Sequence, residues 1–465
     1  MSRAWSGPKE HVMHVSHSCF NEASNFQVPP GSEATQSIIR PYNDAALTGS
    51  PDRVFMPASL GQVRAVIEQA RVSGASLSVH STGHDFEGRS LDGEMIVHMG
   101  AFTSVNYDPS TEVVTVGGGA RISDVYKVLS AHGRAIPTGT SLDVGITGLT
   151  LGGGAGYTSR RYGLVCDYLL EVEICTFAGE VLHVTDHSHP RLMRMLRGAG
   201  AGTFGIVTQL KLKTFAATSV TSFRANWPAS VGARHLADLE QILIEAPREL
   251  SMRIGANVTG SERVATITLS GQFQGDGQAE LPRIFGSIAR TAGWTQSTTS
   301  FYDAMISARH QTSGGAFKIK SRFAAKAMGA PALGEILDYL DTWTPTQNED
   351  GAGFGLFAWG GAIRDFPVER SFMPARHSEY LASFDTSWTS RESPVQVAAQ
   401  LRWLKELDNI GARYLSDIAY LNFPDSDDDQ FFERHFPSDL REYEVLRLMY
   451  DPGNICRQAS RCVHI

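Results

Sequence analysis

Two stretches decide how this chain reads: VHSTGHDFEGRS, Val79–Ser90, and PTGTSLDVGITGLTLGGGAGYTSRRYGL, Pro137–Leu164. The first closes an apolar, strand-like run at Ala75–Val79 and then sets Ser81, Thr82 and Gly83 directly ahead of His84. Residues this small let a backbone approach a ligand closely and turn its N–H groups toward an anion. A histidine at that point touches whatever the backbone holds. The second stretch repeats the theme with Gly139, Gly145, Gly148 and the triple glycine Gly152–Gly154.

Composition narrows the class. At 465 residues the chain is too long for one core, so two or three domains are expected. Hydrophobic residues at 42% and charged residues at 19% describe an ordinary globular protein. A net charge of −8 with no basic stretch argues against nucleic acid. No apolar run approaches the roughly 20 residues of a membrane span. The opening MSRAWSGPKEHVMHVSHSCF has no apolar h-region, so no secretory signal and a cytoplasmic, reducing compartment are expected. Five cysteines (Cys19, Cys166, Cys175, Cys456, Cys462) lack zinc-type spacing. Cys456 and Cys462 with His464 read as a reduced tail, and His11, His14 and His17 with Cys19 as a surface segment, so no metal site is expected.

Along the chain, 1–45 read as a leader with a turn at Pro29–Ser32 and a short helix near Thr35–Tyr42. Strand and helix patterns then fill 46–217. Ser59 is placed as an N-cap, and Val63, Val66, Ile67 and Ala70 recur at helical spacing before Gly74. Strand-like runs follow at Leu77–His80, Met95–His98, Val113–Val116, Leu170–Cys175 and Ile206–Leu212, with helices at Ile122–Ala131 and Pro190–Leu196. In 218–425, strands at Val264–Gln274, Ala316–Phe323, Gly353–Trp359 and Ser378–Phe384 alternate with helices at Val231–Ile244, Leu281–Ala292, Ala332–Trp343 and Pro394–Leu407. A large sheet with helices on one face gives that order. The acidic run Asp425–Asp429 reads as a solvated turn, followed by a helix at Phe431–Phe436 in the last segment, 426–465.

Gly200-Ala-Gly202-Thr-Phe-Gly205 spells the dinucleotide fingerprint, but that motif needs a strand before it and a helix after it. Here the order is reversed, so the nicotinamide-dehydrogenase reading fails. No phosphate-loop G-x-x-x-x-G-K-[ST] occurs.

Together with RGAGAGTFGIVTQLKLKTF (Arg197–Phe215), AYLNFPDSD (Ala419–Asp427) and YDPGNICR (Tyr450–Arg457), the two opening stretches form five ordered blocks over roughly 40–460. In this the chain resembles the berberine bridge enzyme-like oxidases of the vanillyl alcohol oxidase/p-cresol methylhydroxylase (PCMH) superfamily. The resemblance implies an α+β fold: a PCMH-type FAD-binding domain of two α/β subdomains over 46–217, then a substrate domain over 218–425 with a large antiparallel sheet covered by helices. The final segment would return to the FAD domain. It also implies FAD as cofactor, attached through His84. A neutral imidazole is a nucleophile toward the methyl carbon on the flavin's benzenoid edge, and the bond raises the cofactor's potential and prevents its loss.

Other cofactor contacts implied are Ser81, Thr82, Gly83 and Asp85, then Gly139, Ser141, Val144, Gly145 and Gly148, the triple glycine Gly152, Gly153 and Gly154, and finally Ile206, Asn422 and Asn454. Many relatives add a thioether from a cysteine where this chain has Ser141, so a single link is expected. Val144 occupies the place where a small side chain leaves room for dioxygen. His80 and His98 read as structural.

On the substrate side the family pattern breaks. Positions that carry tyrosines in many relatives are Phe423, Phe86, Ala155 and Phe357 here, and a polar pair on a substrate-facing strand becomes Leu381 and Ser383. The expected pocket, with Phe357, Leu381 and Phe423 in its wall, is apolar and poor in bases. Glu379, Ser383 and Tyr157 are the catalytic candidates, with Tyr302 behind them, and each also reads as a packing or surface residue. Glu379 earns its place by sharing strand parity with Leu381 and Ser383. The expected function is O2-dependent oxidation of a bulky aromatic or polyketide-like natural product in secondary metabolism. Flavin-mediated oxygenation or oxidative cyclisation, and sequestration of a toxic aromatic compound, stand as alternatives.

Overall fold

The computed structural model describes residues 26–46, 51–200, 202–260, 265–291, 293–308, 315–437 and 440–457. The histidines of the leader, Cys19, Cys462 and His464 lie outside these residues.

Strands are numbered in chain order. The first sheet orders β1 (Gln27–Val28), β2 (Arg53–Phe55), β4 (Met95–His98) and β3 (Leu77–His80), with β2 and β3 both parallel to β4. The helix Leu60–Ser73 is the crossover from β2 to β3, which lie parallel on either side of β4. That helix begins where Ser59 Oγ accepts from Gln62 N and ends on Gly74 at φ +68°. Its buried face is Val63, Val66, Ile67 and Ala70 against Phe55, Leu77, Met95 and Val97. Each larger apolar side chain contributes about 1.5–3 kcal/mol there.

The second sheet is antiparallel throughout: β5 (Val105–Asp108), β6 (Val113–Gly117), β10 (Gly205–Lys213), β8 (Leu169–Thr176) and β9 (Val181–Val184). The short strands β7 (Arg134–Ala135) and β11 (Phe215–Ala216) pair beside it. The closing residues of the chain return to the first sheet. Leu77 N donates to Ile455 O at 2.7 Å, Ala178 N donates to Tyr450 O at 2.8 Å, and Cys456 is buried beside Phe55 and Ile206.

The third sheet holds seven antiparallel strands in the order β15 (Thr295–Thr299), β12 (Val220–Pro228), β14 (Thr266–Gln274), β13 (Leu250–Val258), β17 (Ala352–Ala358), β18 (Tyr380–Trp388) and β16 (Ala316–Ala324). The helices Gly232–Glu245, Gly329–Leu340 and Pro394–Ala412 cover one face, where Leu239 and Ile336 pack on Ile254, Leu356 and Phe384. Strands β12, β13 and β15 escape the sequence reading. β18 also runs to Trp388, four residues past the expected end at Phe384, which brings Asp385 and Ser387 into the sheet.

The acidic run is corrected at its first residue, while Asp427 and Asp429 are exposed as expected. Asp425 is 5% exposed, because Lys318 and Lys320 of β16 reach it. Lys318 Nζ lies 2.9 Å from Asp425, 3.0 Å from Glu87 and 3.1 Å from Asp427. Burial works against the Lys318 charge, and Asp425 and Glu87 outweigh it, so its proton is held more tightly than in an ordinary lysine. This cluster ties the His84 loop, the third sheet and the last segment together.

Candidate active site

A cavity of about 1220 Å³ runs between the first two sheets and the uncovered face of the third. On one side it is walled by two loops. After β3 the chain turns at Gly83, φ +82°, where a Cβ would stand 3.3 Å from Arg40 O and from His80 Cε1. Under this turn His80 is buried beside His98, and its pKa is pushed down to about 3, first by burial and then by His98, so its ring is neutral. The second loop, 139–148, is held alongside by Ile122 N donating to Val144 O and Gly145 N donating to Thr82 Oγ1 at 2.9 Å. A side chain at Gly145 would strike Ser81 Oγ at 2.8 Å, so glycine is needed for the two loops to meet.

Ser81, Thr82, Gly83, His84 and Asp85 all line the cavity, as do Gly139, Ser141, Val144, Gly145 and Gly148. His84 stacks on Tyr42 with ring centres 4.2 Å apart. Phe86 meets Phe317 edge-on at 5.0 Å and Phe423 at 6.0 Å, giving an aromatic surround. Asn43 fixes this corner: its amide donates to Phe86 O and Phe317 O at 2.8 and 2.9 Å and accepts from Phe317 N at 3.0 Å.

Several of the implied cofactor contacts do not line the cavity. Gly152, Gly153 and Gly154 are off the cavity wall, and the space their side chains would take is filled by Asn422 Oδ1 at 2.0 Å, Met373 Sδ at 2.9 Å and Val165 Cγ2 at 2.5 Å. Their close approach is to protein. Ile206 points into the first core, while its neighbours Gly205 and Val207 line the cavity, as alternation along a strand requires. Asn454, at φ +48°, accepts from Arg447 behind the wall. Asn422 does line the cavity, and its amide donates to Leu149 O at 3.1 Å.

The opposite wall is the open face of the third sheet. Leu381, Ser383, Asp385 and Ser387 of β18, Phe357 of β17 and Arg253 of β13 all point into the cavity. Tyr157 also lines it and shares a 3.0 Å hydrogen bond with Ser270. Glu379 does not. It precedes the first residue of β18, and Arg364 holds its carboxylate at 3.2 Å. Tyr302 packs against the second core.

The pocket is not base-poor, which corrects the sequence reading. Burial pushes the Asp385 carboxyl from 3.8 up to about 6, with Arg253 pulling the other way and Asp350 adding to the rise. Its accessible edge opens into the cavity. Tyr420, also on the wall, accepts from Gly154 N and Ala155 N at 3.1 Å and from Asn422 Nδ2 at 3.2 Å. Burial nevertheless raises its phenol to about 12. Asp385, Arg253, Asn43 and Gln272 were missed from sequence. For Asp385 a signal existed, since extending the parity of Leu381 and Ser383 by two residues reaches it.

An FAD fits the loop side of this cavity. Ser81 Oγ and Thr147 Oγ1 are buried on its wall with no hydrogen-bond partner among the described residues, and phosphate oxygens would satisfy them. The sheet side has unpartnered atoms of its own: Ser222 Oγ, Gln272 Oε1 and Trp359 Nε1.

The loops, the cavity and the covered sheet together define a flavin-dependent oxidoreductase. Residues 51–185 match the family model described as FAD binding domain. Chitooligosaccharide oxidase of Gibberella zeae is 24% identical over 466 residues, covering 95% of this chain and 93% of that protein. Xylooligosaccharide oxidase of Thermothelomyces thermophilus is 29% identical over 359 residues, covering 72% and 70%. The solved structure of Physcomitrella patens BBE-like 1 superposes with a TM-score of 0.86 at 22% identity, over 96% of this chain and 100% of that one. The chain is an FAD-linked oxidoreductase with a PCMH-type FAD binding domain, and it shares the fold of the berberine bridge enzyme-like structures. Among the described residues no helix is long and apolar enough to cross a membrane, and no cluster of histidine, cysteine and carboxylate side chains could hold a metal.

Proposed function

We propose that the protein is an O2-using oxidase carrying its FAD on a single bond to His84, and that it oxidises a hydroxyl-bearing substrate with Asp385 as proton acceptor. The observation that carries this is the placement of His84 and Asp385 on facing walls of one cavity. Ser141 has no thiol to offer, so one attachment is drawn and not two. Bound FAD supplies the two-electron acceptor, from which dioxygen takes the electrons to become hydrogen peroxide.

The chain's own part is positioning and proton transfer. A carboxyl raised to about 6 is ionised at pH 7–8 yet basic enough to accept the hydroxyl proton as hydride leaves the adjoining carbon. Val144, on the wall beside Ser141, keeps a small side chain where dioxygen must arrive. The rings of Tyr42, Phe86, Phe317 and Phe423 favour an aromatic or polyketide-like substrate at the His84 end.

A second substrate reading has its own observation. Ser222 Oγ, Gln272 Oε1 and Trp359 Nε1 wait for donors and acceptors, which a saccharide supplies in number. Oxygenation or cyclisation shares the aromatic end and would leave no stoichiometric peroxide. Sequestration loses its motive, since it rested on a pocket without a base.

The test is direct. Acid-denatured protein should keep its yellow chromophore, with the mass of one FAD added to the peptide containing His84. Steady peroxide release with an alcohol substrate should follow. Release of all flavin by acid would refute the attachment, and turnover without peroxide would move the assignment to oxygenation.

A further inference from the structure

We propose that the substrate carries an anionic group, a carboxylate, and that Arg253 recognises it. This rests on the oxidase reading above and names the class of molecule that site takes. β13 turns Arg253 toward the cavity, and β17 makes room for it. A Cβ on Gly355 would stand 2.7 Å from Arg253 Nε and 3.0 Å from Nη2, so the guanidinium lies flat where any other residue would block it. Its carbon sits 4.9 Å from the centre of the Phe357 ring.

The guanidinium is built into place against Phe357, but its N–H donors are not spent on the protein. Among the described residues it makes no ion pair and no hydrogen bond, and Asp385 feels its charge without pairing with it. An arginine half-withdrawn from water is costly unless its donors are met. Its planar fork matches a carboxylate with two parallel bonds.

Register adds a second cation on the same line. Arg224 of β12 faces Ser270 of β14, which faces Arg253, and Arg224 also lines the cavity. Two strand spacings separate the arginines by about 10 Å at Cα. The cavity's outer carboxylates stand away from them. Glu349 and Asp350 precede β17 at the end where Val258 meets Ala352, five residues along β13 from Arg253, or about 16 Å. The substrate therefore lies with its acid group toward Arg253 and its oxidisable hydroxyl toward Asp385. A hydroxylated aryl carboxylic acid and a sugar acid both have that form.

The holoenzyme is tested with matched pairs, each an alcohol and its carboxylated counterpart: benzyl alcohol with 4-(hydroxymethyl)benzoate, and cellobiose with cellobiouronic acid. Anaerobic flavin reduction is followed across substrate concentration. In at least one pair the acid should half-saturate at a concentration at least tenfold below the neutral partner. Arg253→Gln should collapse that ratio toward one, and Arg253→Lys should restore part of it. Calorimetric binding of 4-methylbenzoate, which has no hydroxyl to oxidise, should weaken in parallel in Arg253→Gln. Equal or reversed preference, or a preference that survives Arg253→Gln, would overturn the assignment while leaving the oxidase reading standing. A flavin reduced by no member of either pair would bring down both.

Discussion

The two walls of the cavity are made by opposite means. The wall that carries His84 comes from short continuous loops, 81–85 and 139–148, which meet each other and the segment at Arg40–Tyr42. The facing wall is a sheet surface to which β12, β13, β14, β17, β18 and β16 each lend alternate side chains. Arg253 and Asp385 share it although 132 positions separate their numbers. A nucleotide cofactor presents the same phosphates in every member of a class, so a compact backbone cradle suffices. A substrate differs from enzyme to enzyme, and a sheet face can change one side chain at a time without disturbing the ladder beneath.

That contrast can be broken most decisively at His84. His84→Ala should lose all acid-stable flavin, read as a colourless denatured pellet, while the third sheet stays folded by circular dichroism. Retained covalent flavin would mean that the loop wall attaches the cofactor elsewhere.

Asp385→Asn tests the facing wall. It should slow flavin reduction by about 10²–10⁴-fold, the span of general-base catalysis. In the wild type the same rate should fall as pH drops through about 6. The stability sign is opposite. A carboxyl raised from 3.8 to about 6 favours the folded state while protonated, so its contribution is complete below pH 3.8 and is lost as pH rises through about 6. Asp385→Asn should therefore stabilise the protein at pH 7 by on the order of 1–3 kcal/mol, measured by denaturant unfolding. Unchanged reduction kinetics would remove Asp385 from the chemistry.

Lys318→Met sharpens the seam between the walls. It leaves Glu87 buried without its cation and Asp425 with Lys320 alone, and should destabilise the fold by about 3–5 kcal/mol. The smallest effect belongs to Val144→Leu, which should slow reoxidation of the reduced enzyme several-fold in stopped flow and leave reduction nearly unaltered.

How far the letters reached follows the same division. Ser81–Asp85 and, within 139–148, Gly139, Ser141, Val144, Gly145 and Gly148, implied by the family resemblance, do line the cavity. Ile206 failed by one residue, since nothing local tells which face of β10 meets the cavity. Gly152–Gly154 failed because close approach is visible in sequence but its object is not, and here the object is Asn422, Met373 and Val165. Asp425 looked solvated because its lysine partner at 320 lies 105 residues away.

The chain's sequence alone determined the helix caps, the glycine turns, the position of His84 and the alternation that makes each strand two-faced, because these depend on bonds and contacts within a few residues. Tertiary structure alone decided which strand faces share a cavity, which carboxyl is kept from water and which arginine is left waiting. Those properties come from strand register and burial, and both are settled only when distant segments pack.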